Sequence, residues 1–259
     1  MSPKPRVLAY QLTVLVVTLG LWSGLVRSGL VDAFFFPKPL DIAERVIQWF
    51  ASGKIYHNLE VTLIEVVLAY VIGTALGVIS GLWLALSPTA SQVFDPYIKA
   101  ANSIPRVILA PIFTLWFGLG ILSKVALGVT LVYFIAFFNV YQGVREVNPV
   151  VLANARVLGA GKRHLLQHVY LPSAATWIIS SLRVSIGFAV IGAVVGEYLG
   201  AAAGIGYLIS HAEGMFDTVG VFAGMVVLGF FVMVLDVAVT LIERRLMRWR
   251  PDNEAQSRR

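Results

Sequence analysis

Four groups of residues have types and spacings that could do chemistry. Gly159-Ala160-Gly161-Lys162 has the Gly-rich, Lys-ended look of a loop that cradles phosphates. It fails as one: the position six before Lys162 is Arg156 rather than Gly, Arg163 follows where Ser or Thr would stand, and no parallel-sheet context precedes it. The chain is therefore expected to bind no ATP, and no other cofactor, by itself. His164 and His168 are four apart and would share a helix face as two metal ligands could, but no third ligand lies nearby, so the pair reads as the wet face of a helix. The absence of Cys removes disulfides, thiolate catalysis and Cys-based metal sites together. No Ser/His/Asp set or carboxylate pair converges, and an enzyme is not expected.

The fourth group is ionisable residues inside apolar runs, where a charge is costly and is usually paired or functional. Arg183 and Asp236 fall roughly 14 to 17 Å into their runs at a helical rise of about 1.5 Å per residue. Their depths match, so they are expected to pair as structural glue. Glu65 and Glu197 lie nearer the opposite side, with Lys124 as the available partner and no role assigned to them.

The elements that must hold these residues are membrane helices. With 58% hydrophobic and only 13% charged residues in 259, the composition is that of an integral membrane protein. Apolar runs predict six spans at about 7–26, 59–86, 104–117, 121–141, 174–199 and 219–247. The first is longer than a signal-peptide core and no small-residue cleavage pattern follows, so it reads as a retained span. Gly73, Gly77 and Gly81 recur every fourth position in the second and allow close helix approach, by packing within the chain in preference to a dimer seam. Pro105 and Pro111 break the third, freeing carbonyls that only protein or water can satisfy. Pro37-Lys38-Pro39 marks an interfacial turn, followed by a short helix with an Asp41/Glu44 capping box and an apolar face of Ile42, Val46, Trp49 and Phe50, lying flat on the outer surface. Gly200 to Thr218 reads as a Gly-rich outer loop.

Six spans put both termini on one side. That side carries fourteen of the twenty Lys and Arg, from Lys4 and Arg6 through Lys99, Arg106 and the basic C-terminal tail, and the other side carries five. The termini are accordingly expected in the cytoplasm. This spread of charge also accounts for the net +6 better than nucleic-acid binding does, since no basic surface with interleaved aromatics is evident.

One long polar interval, 148–172, lies on that same side. Asn148 can cap a helix with Pro149 at its first position, Gly159 offers a stop, and Gly161 to Tyr170 restarts a second short helix. Val151, Leu152, Ala155 and Leu158 share one face of the first piece; Leu165, Leu166 and Val169 share one face of the second. Roughly twenty residues cannot bury enough surface to fold alone. The interval must dock on something.

At these residues a resemblance enters. Ala155, Gly159-Ala160 and Val169-x-Leu171-Pro172 resemble the "EAA" loop of bacterial ABC importer permeases, whose form is Glu-Ala-Ala, three residues, Gly, nine residues, Ile-x-Leu-Pro. The spacing matches throughout. Ala153 stands where the family has Glu and Asn154 where it has its first Ala, which touches that Glu's contacts but leaves the Gly-to-Pro frame intact. Pro37-x-Pro39, Leu59-x-x-Thr62-Leu63, Ile104-Pro105 with Pro111, Leu115-Trp116-Phe117-Gly118-x-Gly120, Leu182-Arg183, Gly196-Glu197 and Gly204-x-Gly206 are similar to the nitrate, sulfonate and taurine branch.

The resemblance implies an all-α, six-span, type I ABC importer permease in a bacterial cytoplasmic membrane. It implies work as a pair of permease chains, with two ATPase subunits that bind the ATP and a periplasmic or lipid-anchored substrate-binding protein. The 148–172 interval would be the coupling loop, with Asn154, Ala155, Arg156, Val157, Gly159, Ala160, Gly161, Leu171 and Pro172 at the ATPase contact. Trp116, Tyr133 and Asn139 are expected to line the pathway of a small solute such as a sulfonate, nitrate, aromatic acid or vitamin precursor. A stand-alone secondary transporter or channel is the alternative; it should show an ion path or repeat symmetry, and neither is evident.

Overall fold

A computed structural model describes residues 5–246. Lys4, Arg248, Arg250, Arg258 and Arg259, which contribute to the expected topology, and Met247, where the sixth span is expected to end, lie outside the described residues.

The described chain is helical throughout. The long helices are α1 (Pro5–Arg27), α3 (Lys54–Leu86), α6 (Ile121–Arg145), α9 (Leu171–Leu199) and α11 (Thr218–Leu246). Between them lie α2 (Pro39–Ala51), α4 (Pro88–Ser103), a 3-10 turn (Arg106–Ile108), α5 (Leu109–Phe117), α7 (Pro149–Val157), α8 (Lys162–Leu165), a π turn (Leu166–Tyr170) and α10 (Ile205–Gly214). Among the described residues five helices are long and apolar enough to cross a membrane. A sixth crossing arises if α4 and the segment Arg106–Phe117, bent from it by 75°, count as one.

That bend corrects the third expected span. Residues 104–117 alone would reach only about 20 Å at 1.5 Å per residue, short of a hydrocarbon core of about 30 Å. The polar-looking 88–103, which lies outside the expected spans, is helix α4 and supplies the missing length. The chain breaks at Ile104 and Pro105, both extended, because Pro disfavours helical geometry in the residue before it.

The centre is three helices, α3, α6 and α9, with α11 laid on α9. Val66, Ala69, Val132, Ile186, Ala189, Val190 and Ala193 form its buried core. Small residues set how closely the helices approach. A Cβ added at Gly73 would lie 2.7 Å from Val132 Cβ, at Gly77 2.6 Å from the Tyr133 carbonyl oxygen, and at Gly81 2.9 Å from that of Phe137. The whole glycine stripe is thus used against α6 of the same chain. In return, Gly128 of α6 meets Ala69, and Gly143 meets Trp177.

Helix α2 does not start at a capping box. Lys38 is its N-cap, with no side-chain capping bond, and Pro39 opens the helix, leaving Asp41 inside the first turn as a favourable charge for the helix dipole. Its buried Ile42 and Trp49, with Val46, pack on Leu208 of α10 and on Ala223 and Val227 of α11. The apolar face is covered by protein rather than lipid. Phe50 is turned away and meets Tyr56 edge to face. The expected outer loop 200–218 contains a ten-residue helix, α10, built by the apolar run Ile205 to Ile209 against α11 and α9. By contrast α1 is exposed along nearly its whole length.

Candidate functional site

The 148–172 interval forms an elbow. Asn148 Oδ1 accepts from the Val150 N–H at 2.8 Å and Pro149 opens α7, where a missing N–H loses nothing. At the far end the Ala160 N–H donates to the Ala155 carbonyl and the Gly159 N–H to the Arg156 carbonyl, both at 3.0 Å. This is a Schellman closure, and it requires a left-handed residue, which Gly159 supplies at φ 82°. Leu152 and Ala155 of the expected apolar face are half-buried, but Val157 and Leu158 are 87% and 86% exposed. Asn154, Arg156, Gly159 and Gly161 are exposed beside them.

The second piece of the elbow does not end at Tyr170 as expected. It runs through α8 and the π turn directly into α9. Pro172 has no N–H for the His168 carbonyl, and the widened turn Leu166–Tyr170 absorbs that defect. Leu171 and Pro172 therefore sit in the first turn of a long helix, connecting the elbow to the core by continuous helix. His164 and His168 stack at 5.1 Å between ring centroids. Among the described residues no group of three or more His, Cys, Asp or Glu could hold a metal ion.

At the other end of the bundle, a buried polar cluster caps α10. The N–H groups of Gly204, Ile205 and Gly206 have no partner inside the helix. They donate to Asn58 Oδ1 at 2.9 Å, Thr62 Oγ1 at 2.9 Å and Glu197 Oε2 at 2.7 Å. A carboxylate there also faces the positive end of the helix dipole. Gly204 adopts φ 117°, which only glycine takes readily, and a Cβ on Gly206 would come within 3.0 Å of Glu197 Oε2. The sequence features Gly196-Glu197 and Gly204-x-Gly206 thus belong to one construction; at Gly196 a Cβ would stand 2.9 Å from Lys124 Cγ. Lys124 is 1% exposed but donates to the Leu119 carbonyl at 2.6 Å and makes no ion pair with Glu65 or Glu197. Glu65, also 1% exposed, keeps Oε2 without a hydrogen-bond partner.

The expected pairing of Arg183 with Asp236 does not form; both are exposed. Helices α9 and α11 meet through Ile186, Val190 and Ala193 on one side and Phe231, Leu235 and Val239 on the other, and the two charges fall outside that seam. Among the described residues a long-range ion pair joins Arg45 of α2 to Asp217. Burial would raise the Asp217 pKa, but the Gly220 N–H, the Arg45 hydrogen bond and the charges of Arg45 and Lys54 outweigh it and hold the carboxyl below its ordinary value.

Of the three residues expected along a pathway, Asn139 lines a cleft of about 410 Å³ between α4, the 3-10 turn, α6 and α9. Tyr133 is instead held between α3 and α6, accepting from Ser80 Oγ at 3.1 Å and stacking on Phe137. Trp116 is 67% exposed beside Phe113 and Phe117. Sequence reasoning missed Arg106, counted there only among the charges of the cytoplasmic side: its guanidinium faces the cleft from the 3-10 turn. The break at Pro105, with a cation next to it, was the available signal.

Known proteins place this architecture. Residues 73–248 match the family described as "Binding-protein-dependent transport system inner membrane component". A Bacillus subtilis (strain 168) protein named for aliphatic sulfonates transport, SsuC, is 30% identical, with 92% of this chain and 86% of the relative covered. The formylaminopyrimidine transport permease protein ThiX of Halalkalibacterium halodurans is 33% identical over 84% and 86%. The taurine transport system permease protein TauC of Escherichia coli (strain K12) is 27% identical over 95% and 92%. In fold, the chain is similar to an inward-facing MetNI methionine ABC transporter, with TM-score 0.60, 18% identity, and 77% of this chain and 97% of the other covered. The matched region takes in α6, the elbow, α9 and α10 whole, and the relatives extend the likeness over nearly the full length. This chain belongs to the binding-protein-dependent transport system inner membrane component family, as the permease subunit of an ABC importer for small solutes.

Proposed function

We infer that this permease is driven by ATP hydrolysed on separate partner chains, and that the α7–α8 elbow is where they grip it. The observation that carries this is the elbow's surface: Val157 and Leu158 stand almost fully exposed at the end of α7, on a stretch whose backbone is closed by its own Schellman bonds. Apolar side chains so presented need a cover. An ATPase cleft supplies one. Asn154, Ala155, Arg156, Val157, Gly159, Ala160 and Gly161 form the contact, and Leu171 and Pro172 carry its movement into α9.

On this reading two copies of the chain pair around a shared pathway, two ATPase subunits sit on the elbows, and a periplasmic or lipid-anchored protein delivers the solute. Nucleotide binding draws the ATPases together and biases the permease between two states through the rigid elbow–α9 connection. The termini and the elbow lie on the cytoplasmic side of a bacterial inner membrane, and the chain is one transmembrane permease domain without a cofactor of its own. Relatives named for sulfonates, taurine, riboflavin (in Chloroflexus aurantiacus) and formylaminopyrimidine support a small organic solute.

The test is co-purification from cells expressing the chain beside its genomic neighbours. Wild type should bring down an ATP-hydrolysing subunit, and a variant with residues 154–162 replaced by a Gly/Ser linker should not. A wild-type chain that purifies alone and moves solute in vesicles without ATP would be a secondary transporter or channel instead.

A further inference from the structure

Among the described residues Arg106 is a cation without a counterion. It sits where the chain turns between α4 and α5, and its guanidinium lies over the Phe134 ring with Cζ 4.3 Å from the centroid. One terminal nitrogen donates to Asn102 Oδ1 at 2.6 Å. Among the described residues no carboxylate pairs with it. Its Nε is buried and has no hydrogen-bond partner. Arginine does not shed its proton, so neither the charge nor the donor can be removed by titration. The Phe134 ring and Asn102 offset part of this, and among the described residues nothing accepts from Nε–H.

The cleft around it has the form of a small-molecule site. Its volume of about 410 Å³ lies within the usual range for such sites. Phe134, Phe138 and Phe188 offer apolar surface. Asn139 spends one amide hydrogen on the Ile135 carbonyl at 2.8 Å and has another hydrogen and an acceptor left. The walls come from four elements, at the place where Arg106–Phe117 bends by 75° from α4. Irregular backbone at such a place is tolerated where it lines a cavity.

We propose that this cleft binds a small organic oxyanion, a sulfonate or carboxylate on an apolar body, as a station on the solute's route. The anionic head meets Arg106 and is steadied by Asn102 and Asn139, and the body lies on the three phenylalanines. A guanidinium donates two parallel hydrogen bonds to such a head, which is why charge and acceptor arrive together. A neutral solute supplies only the acceptor, and a cation is repelled. The proposal rests on the importer reading for the word solute; the anion chemistry rests on the cleft alone.

The test measures binding without ATP. The permease with its ATPase partner is placed in phosphatidylcholine nanodiscs, and equilibrium dialysis compares benzenesulfonate with its neutral isostere benzenesulfonamide. Wild type should prefer the anion by at least about tenfold, the ratio expected from one charge-assisted hydrogen bond. Arg106→Gln should erase the preference while still binding the sulfonamide, and Phe138→Ala should weaken both probes alike. An unchanged elution profile and retained ATPase confirm that each variant is folded; if Arg106→Gln is not, Asn139→Ala must lower the anion preference for the proposal to stand. Equal affinities in wild type, no binding at the highest soluble concentration, or a preference untouched by these variants overturns it. Discs containing phosphatidylglycerol separate the sources of the oxyanion: competitive loss of benzenesulfonate there means that a lipid headgroup occupies the cleft, and overturns the solute station. ATP-driven uptake that persists without an Arg106-dependent preference sinks this site and leaves the importer. An intact preference with no ATPase partner does the reverse.

Discussion

Thr62 Oγ1 donates to Glu197 Oε1 at 2.6 Å, a buried bond between residues 135 apart in the chain. The same hydroxyl accepts the Ile205 N–H, so one side chain of α3 holds both the end of α9 and the start of α10. Neither residue is exposed by more than 1%. Water cannot replace either partner.

Thr62→Val should therefore leave a buried carboxylate oxygen and a buried N–H unmet, destabilising the fold by about 1–3 kcal/mol. Thr62→Ser should keep most of the wild-type stability. Thermal unfolding of the detergent-purified complex reads this directly, and a Val variant as stable as wild type would show that the hydroxyl is dispensable.

Close packing of α3 on α6 gives a prediction with opposite signs at two glycines. Gly77→Ala places a methyl against the Tyr133 carbonyl and should destabilise by about 1–3 kcal/mol. Gly20→Ala, in exposed α1 with nothing within 4 Å of the new carbon, should be neutral or stabilise by up to roughly 1 kcal/mol. Matching unfolding temperatures for the two variants would refute the packing argument.

Gly159 must keep φ 82° to close the elbow. Pro fixes φ near about −65°, so Gly159→Pro cannot make that closure. The expected result is loss of uptake in reconstituted vesicles with ATP hydrolysis by the partner retained. Gly159→Ala meets no steric neighbour and should cost only about 1–2 kcal/mol locally. Normal uptake by the Pro variant would count heavily against a coupling role.

Asp217 caps α11 through Gly220 and pairs with Arg45. Its pKa is held below the ordinary value in the folded protein. The contribution to stability is thus complete above the unfolded-state pKa of about 4 and is lost as pH falls through the lowered folded value. The pair is roughly one-third exposed, so the loss should be under about 1 kcal/mol. Asp217→Asn keeps a capping oxygen and removes the charge. Its unfolding temperature should lack that acid-side decline relative to wild type; an identical decline would assign the effect to other carboxylates.

The first half of the elbow was legible in its cap, its opening Pro and its closing Gly, because these act within a single turn of helix, whereas the run of its second half into α9 was not. The glycine stripe of α3 was legible for a similar reason: every fourth position marks one narrow face whatever helix fills it. The same local periods could not say how each helix is rotated about its axis. Matching depth suggested that Arg183 and Asp236 pair, yet α9 and α11 meet along other faces and leave both exposed. Glu197 could be marked only as a charge in an apolar run; its work as a helix cap needed Asn58, Thr62 and Gly204 to Gly206 brought together from three elements. Arg106 counted only toward the charge of the cytoplasmic side until the bend after Ser103 turned it toward Phe134. Composition, periodicity and backbone preference determined the membrane helices and the elbow, since those are properties of near neighbours in sequence. Which charges are capped, exposed or left facing a cleft was decided by helix rotation and close approach, which exist only once the chain is packed.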